Sequence, residues 1–162
     1  HEVLMNITII TVGKLKEKYF RDASAEYLKR LSRFGKIEII ELPDEKIPDN
    51  ASEKQKLQII SKEGAAILAN VKPGSFFIAM CIEGKELSSE ELAEKIGSLS
   101  LVTSHIAIAI GGSLGLFDDV KRAAQLKMSF GKITLPHQLA RIVLLEQLYR
   151  AFKINANETY HK

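Results

Sequence analysis

Five short apolar segments alternate with five longer amphipathic ones along this chain, and that alternation limits the fold more than any other feature. The short segments are rich in Ile, Val and Phe, as buried strands are. The longer ones repeat apolar residues at three- and four-residue steps, as helices do. Strands and helices that alternate through short connections form a parallel sheet covered by helices on both faces. We therefore predict one α/β domain over residues 1–162, in the order β-α-β-α-β-α-β-α-β-α.

Local signals place the elements along the chain. Predicted strands cover residues 6–12, 36–42, 75–82, 105–110 and 129–135. Ser52 with Gln55, and Ser88 with Glu91, match the capping box that begins a helix. We predict a turn at residues 83–85, a fourth helix over 117–128 and a last helix over about 137–153. That last helix is apolar on most sides, which predicts burial by its own core or by a partner subunit.

The composition is that of an ordinary globular protein, with 46% hydrophobic and 27% charged residues, and this argues against disorder. No apolar run approaches the roughly 18 residues that a membrane span needs. The first residues lack the pattern of a signal peptide, so we expect a cytoplasmic protein. Residues 1–4 are expected to be a cloning remnant or a short extension before a native start at Met5. The lone Cys81 is expected to be a reduced thiol.

The glycine-rich segment GGSLG, residues 111–115, is the strongest local signal of a binding site. Glycines let a ligand approach the backbone closely, and the helix that follows begins with unpaired N–H groups. Ligands of open parallel sheets bind at the carboxyl ends of the strands, which is where this segment lies. Its spacing matches neither the dinucleotide fingerprint nor the P-loop. Taken alone, it is compatible with a nucleotide-like ligand or with a plain tight turn.

Basic residues crowd the beginning of the first predicted helix at Lys14, Lys16, Lys18 and Arg21. They are either a solvated face or a contact with RNA. The net charge of the chain is only +3, which is small for a protein that binds a polyanion by itself. The four His and one Cys are scattered without the spacing of a metal site, so no metal is predicted.

Two features near the carboxyl terminus each have two interpretations. Glu146 and Arg150 are four residues apart on one helix and can form an ion pair, which serves either as structural support or as a phosphate contact. The terminal residues Tyr160, His161 and Lys162 combine an aromatic ring, an imidazole and a cation. Such a tail is either frayed or able to stack on an unpaired base and meet phosphates.

The motifs together, in their order, resemble one known family. IGGSLG, SFGKITLPHQ, RIVLLEQLYRAFKI and the terminal YHK, with ITIITVGKLKEKYF at the beginning and the IEGK turn, are similar to the SPOUT-class methyltransferases that modify N3 of a pseudouridine in large-subunit ribosomal RNA. The resemblance extends over the whole chain from Met5. It implies a carboxyl-terminal trefoil knot that holds S-adenosylmethionine, a homodimer, and the assembled ribosome as substrate, with no role for DNA or a membrane.

The resemblance also implies roles for individual residues. Cofactor contacts are expected from Met80, where family members often have Leu, from Gly111, and from six consecutive residues that follow the fourth helix. These six are Phe130, Gly131, Lys132, Ile133, Thr134 and Leu135. Catalytic roles are expected for His161 as base or proton shuttle, for Arg150 as stabiliser of an anion or phosphate, and for Tyr160 in orienting the target base.

Two further interpretations stay open at this point. The chain could be a non-catalytic, dimeric nucleotide-binding module associated with the ribosome, which would tolerate loss of the YHK tail. It could also methylate transfer RNA, although a chain of 162 residues without an added RNA-binding domain disfavours this. If the substrate is the assembled ribosome, activity on naked RNA is expected to be weak.

Overall fold

A computed structural model describes residues 5–160, and it confirms the α/β class. Five strands form one sheet in the order β2-β1-β4-β3-β5, and every neighbouring pair is parallel. The elements in chain order are β1 Met5–Val12, α1 Lys18–Leu31, β2 Gly35–Leu42, α2 Glu53–Ala69, β3 Phe76–Glu86, α3 Ser89–Leu99, β4 His105–Ile110, α4 Asp118–Ala123, β5 Leu126–Ser129 and α5 His137–Asn155.

The helices cover both faces of the sheet because the central strands are buried on both sides. In β1, Ile7 and Ile9 pack with α1, α3 and α5 on one face, while Ile10 and Val12 pack with α2 and α4 on the other. Both predicted capping boxes are confirmed at the starts of α2 and α3. Within residues 5–160, no helix is long and apolar enough to cross a membrane.

The predicted fifth strand is wrong in position. The strand β5 is Leu126–Ser129, and the helix before it ends at Ala123 instead of residue 128. Gln125 explains the early end of the helix, because its backbone N–H donates to Phe77 and its side-chain oxygen accepts from the Phe77 N–H at 2.7 Å, which starts the pairing with β3. Gly131 then takes a φ of +111°, which no strand contains. Residues 130–135 are therefore a loop.

The predicted turn at residues 83–85 is also wrong, because it lies inside β3. Met80 and Lys85 both pair with Met128 of β5, so residues 81–84 leave the sheet as a bulge and the strand resumes afterwards. Gly84 is required at this crossing, since a Cβ atom there would lie 2.7 Å from the backbone N and C of Met128. The bulge brings its side chains to the carboxyl end of the sheet.

The long helix α5 is buried as its apolar sequence predicts, packing against both α1 and α3. Its beginning is fastened to the sheet by Arg141, whose guanidinium is 2.8 Å from the Glu41 carboxylate and donates to Thr11 Oγ1 at 3.3 Å. Thr11 and Glu41 stand near the carboxyl ends of β1 and β2. The first turn of α5 is thus held at the edge of the sheet where ligands of this fold class bind.

Candidate functional site

A cavity of about 620 Å³ lies at the carboxyl ends of the last three strands. Its walls come from residues 80–83 at the bulge of β3, from residues 110–113, 115 and 116 at the end of β4 and just after it, and from residues 128–131 and 133–137 between β5 and α5. Lys121 of α4 and Ala140 of α5 complete the lining. The volume is that of a typical small-molecule site, and the position agrees with the rule for open parallel sheets.

The GGSLG segment is both a tight turn and a wall of this cavity. Gly115 has a φ of +85°, and its N–H donates to the Gly112 carbonyl at 3.0 Å, closing the turn. Gly111 is packed against the returning chain so closely that a Cβ atom would lie 2.6 Å from the carbonyl C and O of Gly115. The segment is therefore a tight turn, as one of the two interpretations predicts, and it lies where the ligand of the other interpretation would bind.

The loop of residues 130–135 presents backbone to the cavity. Its first turn is fixed by Ser129, whose Oγ accepts from the Gly131 N–H at 3.0 Å and donates to the Gly131 carbonyl. Among residues 5–160, the N–H groups of the next four residues, 132–135, form no hydrogen bond. Unpaired N–H groups beside a cavity are available to polar atoms of a ligand.

Seven of the eight residues predicted to contact a cofactor line this one cavity: Met80, Gly111, Phe130, Gly131, Ile133, Thr134 and Leu135. The eighth, Lys132, is exposed and does not line it. Sequence reasoning missed the bulge residues 81–83, Ser113 and Lys121. The IEGK motif was the available signal for the bulge. Its interpretation as a simple turn gave no indication that these residues line the cavity.

Three ionisable groups at the cavity, Glu83, Lys121 and Cys81, have shifted pKa values. Lys121 Nζ is 2.7 Å from Glu83 Oε1, and this hydrogen bond lowers the pKa of Glu83 and raises the pKa of Lys121. Burial raises the pKa of Cys81, which keeps its thiol protonated. No three His, Cys, Asp or Glu side chains in the described part of the chain gather closely enough to hold a metal ion.

The two described members of the predicted catalytic set lie together elsewhere, Arg150 on α5 and Tyr160 in the segment that follows this helix. Arg150 donates to Glu146 Oε1 from Nε at 3.0 Å and from a terminal nitrogen at 2.8 Å. Tyr160 folds back so that its hydroxyl donates to Glu146 Oε2 at 2.9 Å, and the Arg150 guanidinium lies 4.8 Å from the centre of its ring. The predicted Glu146–Arg150 pair is confirmed, and we call these three residues with Tyr27 the Glu146 cluster.

Hydrogen bonds set the charge state of the Glu146 cluster. Burial alone would raise the pKa of Glu146, but hydrogen bonds from Tyr27, Arg150 and Tyr160 lower it overall. Burial and the bond to Glu146 raise the pKa of Tyr27 to about 12, and the same causes raise the pKa of Tyr160. Both hydroxyls are therefore donors near neutral pH, which suits Tyr160 to orienting a base and not to removing a proton.

The Glu146 cluster and the cavity are apart within one chain. His137 lines the cavity, and Arg150 is thirteen residues further along α5, which corresponds to roughly 20 Å of helix rise. Neither Arg150 nor Tyr160 lines the cavity. His161, the third residue of the predicted catalytic set, lies outside the described residues.

Sequence comparisons with known proteins all indicate the same family. The sequence pattern of the family described as "Predicted SPOUT methyltransferase" matches residues 5–161. A protein of Clostridium novyi (strain NT), named ribosomal RNA large subunit methyltransferase H, is 62% identical over 98% of this chain and 100% of its own length. Proteins with the same name from Bifidobacterium adolescentis and Bacillus cytotoxicus are 56% and 55% identical with the same coverage.

A solved structure supports the fold independently of sequence identity. A probable methylase family protein from Haemophilus influenzae Rd KW20 superposes with a TM-score of 0.54, covering 98% of this chain and 70% of that one. The two sequences are only 16% identical, so this likeness concerns the fold alone.

Proposed function

We propose that this chain, which belongs to the SPOUT methyltransferase family, transfers a methyl group from S-adenosylmethionine to N3 of a pseudouridine in large-subunit ribosomal RNA. One observation carries the proposal: seven residues that the family resemblance assigns to the cofactor, from three segments that are distant in sequence, line a single cavity. The names of relatives at 55–62% identity support ribosomal RNA as the substrate class. The nucleotide and the atom follow from the motif resemblance.

The lining of the cavity fits an adenosyl cofactor. Apolar side chains, among them Met80, Ile110 and Leu135, offer a surface for a planar base, and a thioether such as that of Met80 packs well against aromatic rings. A Cβ atom at Gly115 would stand in open space, so the glycine leaves that space free at the wall, and the N–H groups of residues 132–135 can donate to polar atoms. The Glu83–Lys121 pair supplies both charges at the wall.

The reaction requires that the methyl donor and the acceptor be aligned and that one proton be removed from the acceptor. The bound cofactor supplies an activated methyl group on a sulfonium, so the protein mainly positions the two reactants and excludes water. N3 of a pseudouridine must lose its imide proton to become the nucleophile. We assign His161 as base or proton shuttle, Arg150 as the cation that stabilises the resulting anion or a neighbouring phosphate, and Tyr160 as the residue that orients the base.

This assignment requires a second subunit, and we infer a homodimer. Roughly 20 Å of α5 separates His137 at the cavity from Arg150, so the two parts of the site meet only if the Glu146 cluster of one subunit faces the cavity of its partner. Ile82 and Ile133, two large apolar residues of the cavity wall that are 62% and 78% exposed, are suited to burial at such an interface. We also infer that the crossing of Gly84 over Met128 belongs to the trefoil knot of the family.

We further propose that the substrate is the assembled ribosome in the cytoplasm. A net charge of +3 provides few phosphate contacts, so shape and contacts across assembled ribosomal components are expected to contribute to binding. A short transcribed stem-loop should then be methylated weakly.

The test is incubation of unmodified ribosomes with labelled S-adenosylmethionine, followed by mass spectrometry of the ribosomal RNA nucleosides. We expect label in one methylated pseudouridine on ribosomes and little on the stem-loop. Cofactor binding without any labelled nucleoside would instead support a non-catalytic binding module. Equal labelling of the stem-loop would contradict the requirement for the assembled particle.

A further inference from the structure

A basic segment lies beside the cavity, between β1 and α1. The backbone N–H of Lys16 donates to the side-chain oxygen of Gln138 at 3.0 Å. A Cβ atom at Gly13 would lie 3.4 Å from Cε1 of His137, which lines the cavity. Residues 13–16 therefore pack against the first turn of α5, at the border of the proposed methyl-transfer site.

The backbone of this segment is fixed although its lysines are exposed. Leu15 is buried, with 7% of its surface exposed, and anchors the segment between the exposed Lys14 and Lys16. Arg21 of α1 donates to the carbonyls of Leu15 and Lys16, at 3.2 and 2.7 Å. Lys14 and Lys16 are thus presented from a rigid backbone, which lowers the entropy cost of using them in binding.

No ion pair within the described residues 5–160 accounts for these two cations. Within residues 5–160, Lys14 and Lys16 form no ion pair, whereas Lys18 pairs with Asp22 at 2.7 Å. Positive charges just before α1 oppose the helix dipole, and although the N-cap residue Glu17 is acidic, the first turn itself contains no acidic residue. Asp44 lies 3.5 Å from a Cβ built at Gly13, and Glu17 is the N-cap residue of α1. With the Lys18–Asp22 pair set aside, the cations Lys14, Lys16 and Arg21 outnumber these two carboxylates, which leaves the surface positive.

We propose that Lys14 and Lys16 bind phosphates of the RNA strand that flanks the target nucleotide. The inference rests on the proposed function, because an RNA nucleotide that reaches the cavity must bring its neighbouring phosphates to the cavity's border. Phosphate contacts position a nucleic acid without reading its sequence, and exposed lysines on a fixed backbone suit that role. A protein of low net charge can then bind RNA because its positive charges are placed at the border of the cavity.

The test is a double substitution with a matched control. The variant K14Q/K16Q removes two exposed, unpaired cations at the cavity border. The control K36Q/K72Q removes two exposed lysines at the opposite, amino-terminal edge of the sheet, which also lack ion pairs among the described residues. For each, we would measure kcat and KM with unmodified ribosomes at several salt concentrations, and the affinity for S-adenosylmethionine.

We expect K14Q/K16Q to raise the KM for ribosomes about tenfold and to reduce the slope of log(1/KM) against log salt by about 1.4, as the loss of two phosphate contacts on a single strand implies. Cofactor affinity and kcat should match the wild type, and K36Q/K72Q should behave as the wild type throughout. An unchanged KM and salt slope would overturn the proposal, as would an equal effect in the control. Loss of cofactor affinity would also overturn it, since the lysines would then act through the cavity. A wild-type protein that methylates no RNA would instead remove the proposed function itself.

Discussion

The cavity and the Glu146 cluster are built in opposite ways. The cavity is made mainly of backbone, glycines and apolar side chains, and its one close ion pair is Glu83–Lys121 at the wall. The Glu146 cluster is made of polar side chains that bond to each other, with Arg150 and Tyr160 both on the Glu146 carboxylate. The first region is shaped to receive a ligand. The second holds an arginine and two tyrosines in fixed positions around one carboxylate, and the proposed function assigns it to a site shared by two subunits.

The largest effect is expected from Gly111→Ala in the cavity. The new methyl group would lie 2.6 Å from the backbone of Gly115, so the glycine turn must move out of the wall. We expect cofactor affinity to fall at least about 100-fold, a loss of roughly 2.7 kcal/mol or more, measured by calorimetry. Gly97→Ala, in α3 with only ordinary contacts, is the control and should bind normally. Normal binding by Gly111→Ala would refute the role of the turn.

The second largest effect is expected at the beginning of α5. Arg141 fastens the beginning of α5 through Glu41 and Thr11, and it is 6% exposed. Arg141→Met removes one partner of this pair and should lower the free energy of unfolding by about 2–3 kcal/mol, measured by urea denaturation. Because the beginning of α5 lines the cavity, cofactor affinity should fall too. Reduced stability with unchanged cofactor affinity would show that the cavity does not depend on this attachment.

A smaller, pH-dependent effect is expected at the other end of α5. The pKa of Glu146 is lowered in the folded protein, so its contribution to stability is complete above its unfolded pKa of about 4.5 and is lost as the pH falls through the folded value. Glu146→Gln should therefore flatten the loss of stability below about pH 4.5. Denaturation at a series of acidic pH values measures this, and an identical acid dependence in wild type and variant would contradict the charge state assigned to the cluster.

The smallest effect is expected for Tyr27→Phe. This change removes the hydrogen bond from one of the three residues that donate to Glu146 and should lower the free energy of unfolding by about 1 kcal/mol. Spectrophotometric titration offers a sharper measurement, because Tyr27 is expected to ionise with a pKa of about 12. The variant should show one tyrosine fewer in this late component, to which Tyr160 can still contribute. Tyr19, which is 66% exposed, provides the control, since Tyr19→Phe should leave the late component intact.

The sequence predicted what depends on local pattern. Alternating apolar and amphipathic segments gave the fold class, and capping residues such as Ser52 and Ser88 correctly marked helix starts. It failed where long-range pairing decides. Gln125 ends α4 early because it forms hydrogen bonds with Phe77, and Met128 pairs with two residues of β3. Neither effect leaves a signal in the local sequence. Apolar residues at 130, 133 and 135 imitate a strand, although they line cavities.

The candidate site also has one part that the sequence predicted and one part that it did not. The family resemblance placed seven residues in one cavity, because motifs preserve which residues meet. The fold back of Tyr160 onto Glu146 could not be predicted, since a carboxyl-terminal tail carries no periodic pattern. The Glu146–Arg150 pair could, because four residues is one helical turn.

Mixing two inactive variants tests most directly whether the cavity of one subunit works with the Glu146 cluster of the other. Gly111→Ala disables the cavity, and Arg150→Ala disables the cluster. After unfolding and refolding together in equal amounts, half of the dimers should be mixed, and each should contain one intact composite site, restoring about a quarter of wild-type methyl transfer to ribosomes. If cavity and cluster of the same chain worked together, mixed dimers would contain no intact site and the mixture would stay inactive.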